Sequence, residues 1–152
     1  MGSIQKITGT LVLVVSASFS VNAQQFNKSE DAIKYRKGAF TVMNAQFDQL
    51  ASMAKGNLPY DAKVASEGAA AVEALSKLPW AGFAEGTDKG ETKARPEIWT
   101  DAAKFKDAQG KLMTETAKLA IAAKTGKLED LKVAVSATGG ACKNCHENFK
   151  SK

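Results

Sequence analysis

Ile33, Arg36, Phe40, Met43, Phe47, Leu50 and Ala54 follow one another in strictly alternating steps of three and four. On a helix of 3.6 residues per turn this spacing lays them along one stripe, which must be buried against something. The spacing returns three times. Val64, Gly68, Ala71 and Leu75 make a second seam. Ala102, Phe105, Gln109, Leu112, Thr116, Leu119 and Ala123 make a third. Leu128, Leu131, Val135, Thr138, Cys142, Cys145 and Phe149 make a fourth. Four such seams predict an all-α fold, an antiparallel up-down-up-down four-helix bundle. Bundles of this kind hold cofactors between facing helices.

Local signals place the ends. Ser29, followed by Glu30 and Asp31, is the expected cap of the first helix, and Gly56-Asn57 stops it after about Lys55. The second helix is expected from near Asp61 to near Lys77. A long connection, residues 78–97, follows; it contains Leu78-Pro79-Trp80 and the polar stretch from Glu85 to Lys93. The third helix begins between Pro96 and Asp101 and ends at Lys124-Thr125-Gly126. The fourth runs from about Leu128 to Lys150.

Residues 1–23 read as an export signal that is cleaved off. Lys6 precedes an apolar run centred on Leu11 to Val15, and Val21-Asn22-Ala23 has the small-x-small form of a cleavage site. The run is too short to span a bilayer well. Cleavage would leave residues 24–152, a single domain of 129 residues (152 − 23), with a net charge of +4 (20 basic minus 16 acidic). Its basic residues are interleaved with acids, and no reading motif is present, so no nucleic-acid partner is expected. After cleavage no membrane association is expected either.

Both cysteines and the only histidine lie in five consecutive positions, Cys142-Lys143-Asn144-Cys145-His146. A disulfide across two residues would close a tiny loop and stabilise little. A redox pair would sit at a helix start in a βαβ pattern, where the helix N-terminus lowers the thiol pKa. Here the pair lies near a helix end. A zinc site needs about four ligands, and no further Cys or His exists. C-x-x-C-H is the attachment signature of a c-type haem. Two thiols at fixed separation meet the two porphyrin vinyl groups, and the next residue brings an imidazole beneath the iron. One covalent haem c per chain is therefore expected, with His146 as the iron ligand and Cys142 and Cys145 as the porphyrin attachments.

With one histidine, a second imidazole ligand from the same chain is excluded. Met43, on the first seam, is the main candidate for the sixth position. Met53 and Met113 lie less well. If Met43 ligates, the protein is a low-spin Met/His electron carrier. If Phe40, one turn earlier, covers the iron, the face is apolar and the iron five-coordinate. Arg36 is anomalous on an apolar seam, because a buried guanidinium requires acceptors. Haem propionates would supply them, with Lys37 assisting; the alternative is a head that snorkels to solvent. Lys150 is one turn beyond His146. Gly139-Gly140 in a helix implies close backbone approach to the porphyrin or local adaptability.

Several stretches besides the haem motif resemble one family over essentially the whole exported chain. They are Glu30-Asp31-Ala32-Ile33-Lys34-Tyr35-Arg36, Pro59-Tyr60-Asp61-Ala62, Leu78-Pro79-Trp80, Ala94-Arg95-Pro96-Glu97-Ile98-Trp99 and the trailing Phe149-Lys150. The family is the class II c-type cytochromes, specifically cytochrome c′. The resemblance implies a periplasmic homodimer of a Gram-negative bacterium that binds NO and CO at five-coordinate iron and discriminates against O2. No second acid/base constellation is visible in the sequence, so no turnover enzyme is expected, and the redox partner is left open. The resemblance implies a propionate-contacting role for Arg36, with Lys37 beside it, and an apolar distal role for Phe40, where relatives commonly carry Leu. Lys150 takes a proximal basic position often held by Arg, and Arg95 reaches toward the haem edge. Exposed Ala45 and Phe26 would supply dimer surface.

Overall fold

The computed structural model describes residues 26–152, and the expected export signal, residues 1–23, lies outside them. The described residues form five α-helices and one 3₁₀ helix: α1 Ser29–Ala54, α2 Ala62–Leu75, the 3₁₀ helix Pro79–Phe83, α3 Glu97–Thr100, α4 Ala102–Lys124 and α5 Leu128–Phe149. α1, α2, α4 and α5 are the four long helices. Each packs on its neighbours around a closed ring, α1 on α2, α2 on α4, α4 on α5 and α5 on α1. This is the antiparallel four-helix bundle.

The seams of α1, α4 and α5 run where the spacing puts them. Ile33, Arg36, Met43 and Leu50 of α1 are buried, as are Leu112, Thr116, Leu119 and Ala123 of α4 and Leu131, Val135, Thr138 and Phe149 of α5. Polar seam residues find partners. Thr116 donates to Oγ of Ser76, the residue that caps α2 (3.0 Å), and Thr138 donates to the Glu115 carbonyl (3.3 Å). α2 is rotated by about one residue from expectation. Its buried residues are Ala65, Gly68, Ala69 and Val72, whereas Val64, Ala71 and Leu75 are half-buried. Gly68 lets α2 approach α1, since a Cβ there would stand 3.3 Å from Leu50 Cδ2.

Three boundaries differ from the sequence reading. Lys28, not Ser29, caps α1, and no side chain bonds to that end. The third helix is broken at Asp101, which leaves helical geometry (φ −124°, ψ 57°) and accepts from the Lys104 amide to start α4. The connection is not irregular throughout, because Pro79–Phe83 winds into the 3₁₀ helix that packs on α1. Among the described residues no helix is long and apolar enough to cross a membrane.

Candidate haem site

The antiparallel order gathers the C-terminal turns of α5, the N-terminal halves of α1 and α4, and the chain leaving α2 at one end of the bundle. Aromatic rings line that end. Phe40 of α1 meets Trp80 edge-on at 5.8 Å and Phe83 at 6.3 Å. Phe83 meets Phe105 of α4 at 5.0 Å, and Phe105 meets Phe149 of α5 at 5.2 Å. Such pairs prefer offset or edge-to-face geometry, as here.

Cys142 and Cys145 are half-buried on the α5 seam, and neither is in a disulfide. Burial pushes the Cys142 thiol up, and it pushes Cys145 up to about 11, with Cys142 adding to the effect. Both are therefore neutral thiols at physiological pH. His146, one turn past Cys142, keeps an exposed ring. Its pKa is lowered by desolvation and then by the Lys150 charge. A lowered pKa favours the neutral imidazole, the form that binds a metal. Among the described residues no cluster of three or more His, Cys, Asp or Glu side chains forms a separate metal site. Two thiols on the inward seam, an imidazole one turn on, and apolar rings facing them fit a covalently attached haem.

Arg36 does not snorkel. It is 2 % exposed, and its terminal nitrogens donate to the connection. Nη1 reaches the Gly82 carbonyl (2.7 Å) and Thr87 Oγ1 (2.7 Å). Nη2 reaches the Thr87 carbonyl (2.7 Å) and Thr92 Oγ1 (2.8 Å). The guanidinium also lies over the Phe83 ring at 4.5 Å, with Trp99 at 5.9 Å. Desolvation lowers its pKa from 12.5. The protein itself thus supplies acceptors for four of its five N–H groups. Lys37 donates to the Glu91 carbonyl of the same connection (3.2 Å).

Phe40 stands with the aromatic rings; Met43 is 6 % exposed in the core that includes Leu50, Leu112 and Leu131, and Phe40, Trp80 and Cys142 border that same core. Arg95 pairs with Glu97 (2.5 Å) and reaches the Glu147 carbonyl (3.4 Å). The chain beside it is stitched to the end of α5: the Arg95 amide donates to the Phe149 carbonyl (3.0 Å), and the Ser151 amide to the Lys93 carbonyl (2.8 Å). Ala94 and Lys150 form a bridge between them, and Lys150 remains exposed. Gly139 faces Phe47, 3.8 Å from where its Cβ would be, and a Cβ on Gly140 would meet no neighbouring element within 4 Å. Ala45 is exposed, but Phe26 packs on Tyr35 at 5.1 Å.

Periodicity missed Gly82, Phe83, Thr87 and Thr92. The Leu78-Pro79-Trp80 signal marks the connection, yet nothing local shows that four oxygen acceptors and an aromatic face converge on Arg36.

Residues 31–150 match the family model described as Cytochrome C′. Cytochrome c′ of Rubrivivax gelatinosus is 52 % identical over 129 residues, 84 % of this chain and 100 % of that protein. Its crystal structure superposes with a TM-score of 0.81, over the same shares of the two chains. The nitric oxide complex of a leucine-to-alanine mutant of cytochrome c prime from Alcaligenes xylosoxidans is 42 % identical. It covers 84 % of this chain and 99 % of its own, with a TM-score of 0.80.

Proposed function

The chain belongs to the cytochrome c′ family, whose members carry covalently bound haem c, and from that premise we propose that it is an exported, periplasmic gas-binding cytochrome with an open sixth position. Cys142 and Cys145 would hold the porphyrin through thioether bonds, and His146 would ligate the iron. When bound, the haem supplies an iron that takes NO or CO on its free face and exchanges one electron.

One observation carries this choice over a Met/His electron carrier. Phe40 stands among the rings at the cofactor end, one turn of α1 nearer that end than Met43, which lies in the core that Phe40, Trp80 and Cys142 border. The distal face is therefore apolar. It offers no hydrogen bond to a polarised ligand such as O2, but it does not penalise NO or CO. The nitric oxide complex of the Alcaligenes relative supports the same choice. Propionate contact falls to Arg36 Nε, Lys37 and Arg95. Lys150 places a positive charge on the proximal side. It lacks the planar fork of an arginine and holds an anion less specifically. The apolar run Leu11 to Val15 and the small-x-small form of Val21-Asn22-Ala23 support export. The homodimer is inherited from the resemblance, and the redox partner is left open.

Met43→Leu is the direct test. With an open sixth position, the variant keeps the wild-type ferrous spectrum and CO binding. If Met43 ligates, the substitution converts a low-spin spectrum to a high-spin one and creates CO binding where there was none. The N-terminal sequence of the purified protein checks export, and it should begin at Gln24.

A further inference from the structure

We infer that Trp80 and Phe83, carried by the 3₁₀ helix Pro79–Phe83, set the rate at which a diatomic gas reaches the iron by limiting how far Phe40 can swing, with Arg36 as the clamp that holds them there. The inference rests on the gas-binding function proposed above. An apolar residue covering a metal must move before a ligand enters, and its freedom depends on what stands behind it. Behind Phe40 stand Trp80, edge-on at 5.8 Å, and Phe83 at 6.3 Å, which stack on one another at 6.2 Å. Both also abut Phe105 of α4, at 6.0 and 5.0 Å, so a second helix braces the wall.

The wall is fixed to the same helix that carries Phe40. At Gly82 a Cβ would stand 2.7 Å from the Ala32 carbonyl oxygen and 2.7 Å from Arg36 Cβ. The 3₁₀ helix therefore lies directly on the α1 backbone. Arg36 closes the contact through the Gly82 and Thr87 carbonyls and the hydroxyls of Thr87 and Thr92, with its guanidinium over Phe83. Trp80 is held separately, its indole donating to the Ser76 carbonyl at 2.6 Å. Arg36 and Phe40 are one helical turn apart on one seam. One turn of α1 thus presents the mobile residue, and the preceding turn grips the wall that confines it. Trp80, Phe83 and Arg36 are positioning residues, acting through Phe40.

The test is CO association to the ferrous holoprotein by stopped flow, in wild type, Phe83→Ala, Phe40→Ala and the double variant. Phe83→Ala should speed association by about threefold to tenfold, the change expected from losing one aromatic contact in the closed state. In the Phe40→Ala background the same substitution should change the rate by less than about twofold, because the residue it acts through is gone. Phe83→Leu should restore most of the wild-type rate. Thr87→Val, which removes one Arg36 acceptor without touching the wall, should give a smaller acceleration and covers the case in which Phe83→Ala does not fold. An unchanged rate in Phe83→Ala, or equal acceleration with and without Phe40, overturns the inference while leaving gas binding intact. A wild-type protein that binds no CO overturns both.

Discussion

Arg36 and Gly82 show how two residues far apart in sequence specify one contact. A buried guanidinium is tolerated only when its donors are met. Those of Arg36 are met by residues 46 to 56 positions away. Gly82 is the other half, since the backbone contact that brings its carbonyl to Nη1 leaves no room for a side chain. Gly82→Ala should therefore lift the 3₁₀ helix off α1. Overpacking of this kind destabilises by about 1–3 kcal/mol. Thermal unfolding should show a lower Tm, and loosening of Trp80 and Trp99 should appear in the near-ultraviolet circular dichroism. An unchanged Tm would mean that the connection is not seated on α1 as described.

At the scale of the element, α4 carries a charge device on its buried flank. The Glu115 carboxylate lies between Lys111 (2.9 Å) and Lys118 (3.1 Å), one turn away on either side. Hydrogen bonds from Lys111 and then Lys118 hold its pKa below the ordinary 4.5. A carboxylate whose folded pKa is depressed stabilises the fold above its unfolded pKa, and the stabilisation is lost as pH falls through the folded value. The wild type should thus lose stability below about pH 4.5 more steeply than Glu115→Gln, as read by urea unfolding across that window. Parallel curves would remove Glu115 from the acid response. The helices also show what was legible beforehand. α1, α4 and α5 carry large residues at regular steps, so their buried faces could be read directly. α2 is built of Ala, Gly and Val with little contrast in size, and its face was misplaced by one residue. The 3₁₀ helix spans five residues, too few for any period to register. The two thiols and the imidazole were legible because their chemistry depends on local spacing. The wall behind Phe40 was not, because it depends on long-range convergence.

At the scale of the molecule, the connection between α2 and α4 ties the two faces of the cofactor site together. Its first part lies against α1 beside Phe40, and its last part is stitched to Phe149 and Ser151, just beyond His146. In the proposed site the bundle presents the attachment residues from α5 and an apolar cover from α1. Under the proposed function this cover leaves the sixth position of the iron open. Optical spectra of the purified protein, ferric and ferrous, before and after addition of CO and NO, test it most directly. An open position predicts broad high-spin bands that shift sharply with either gas. Sharp low-spin ferrous bands indifferent to CO would contradict it and would assign the sixth position to a side chain, with Met43 the first to replace.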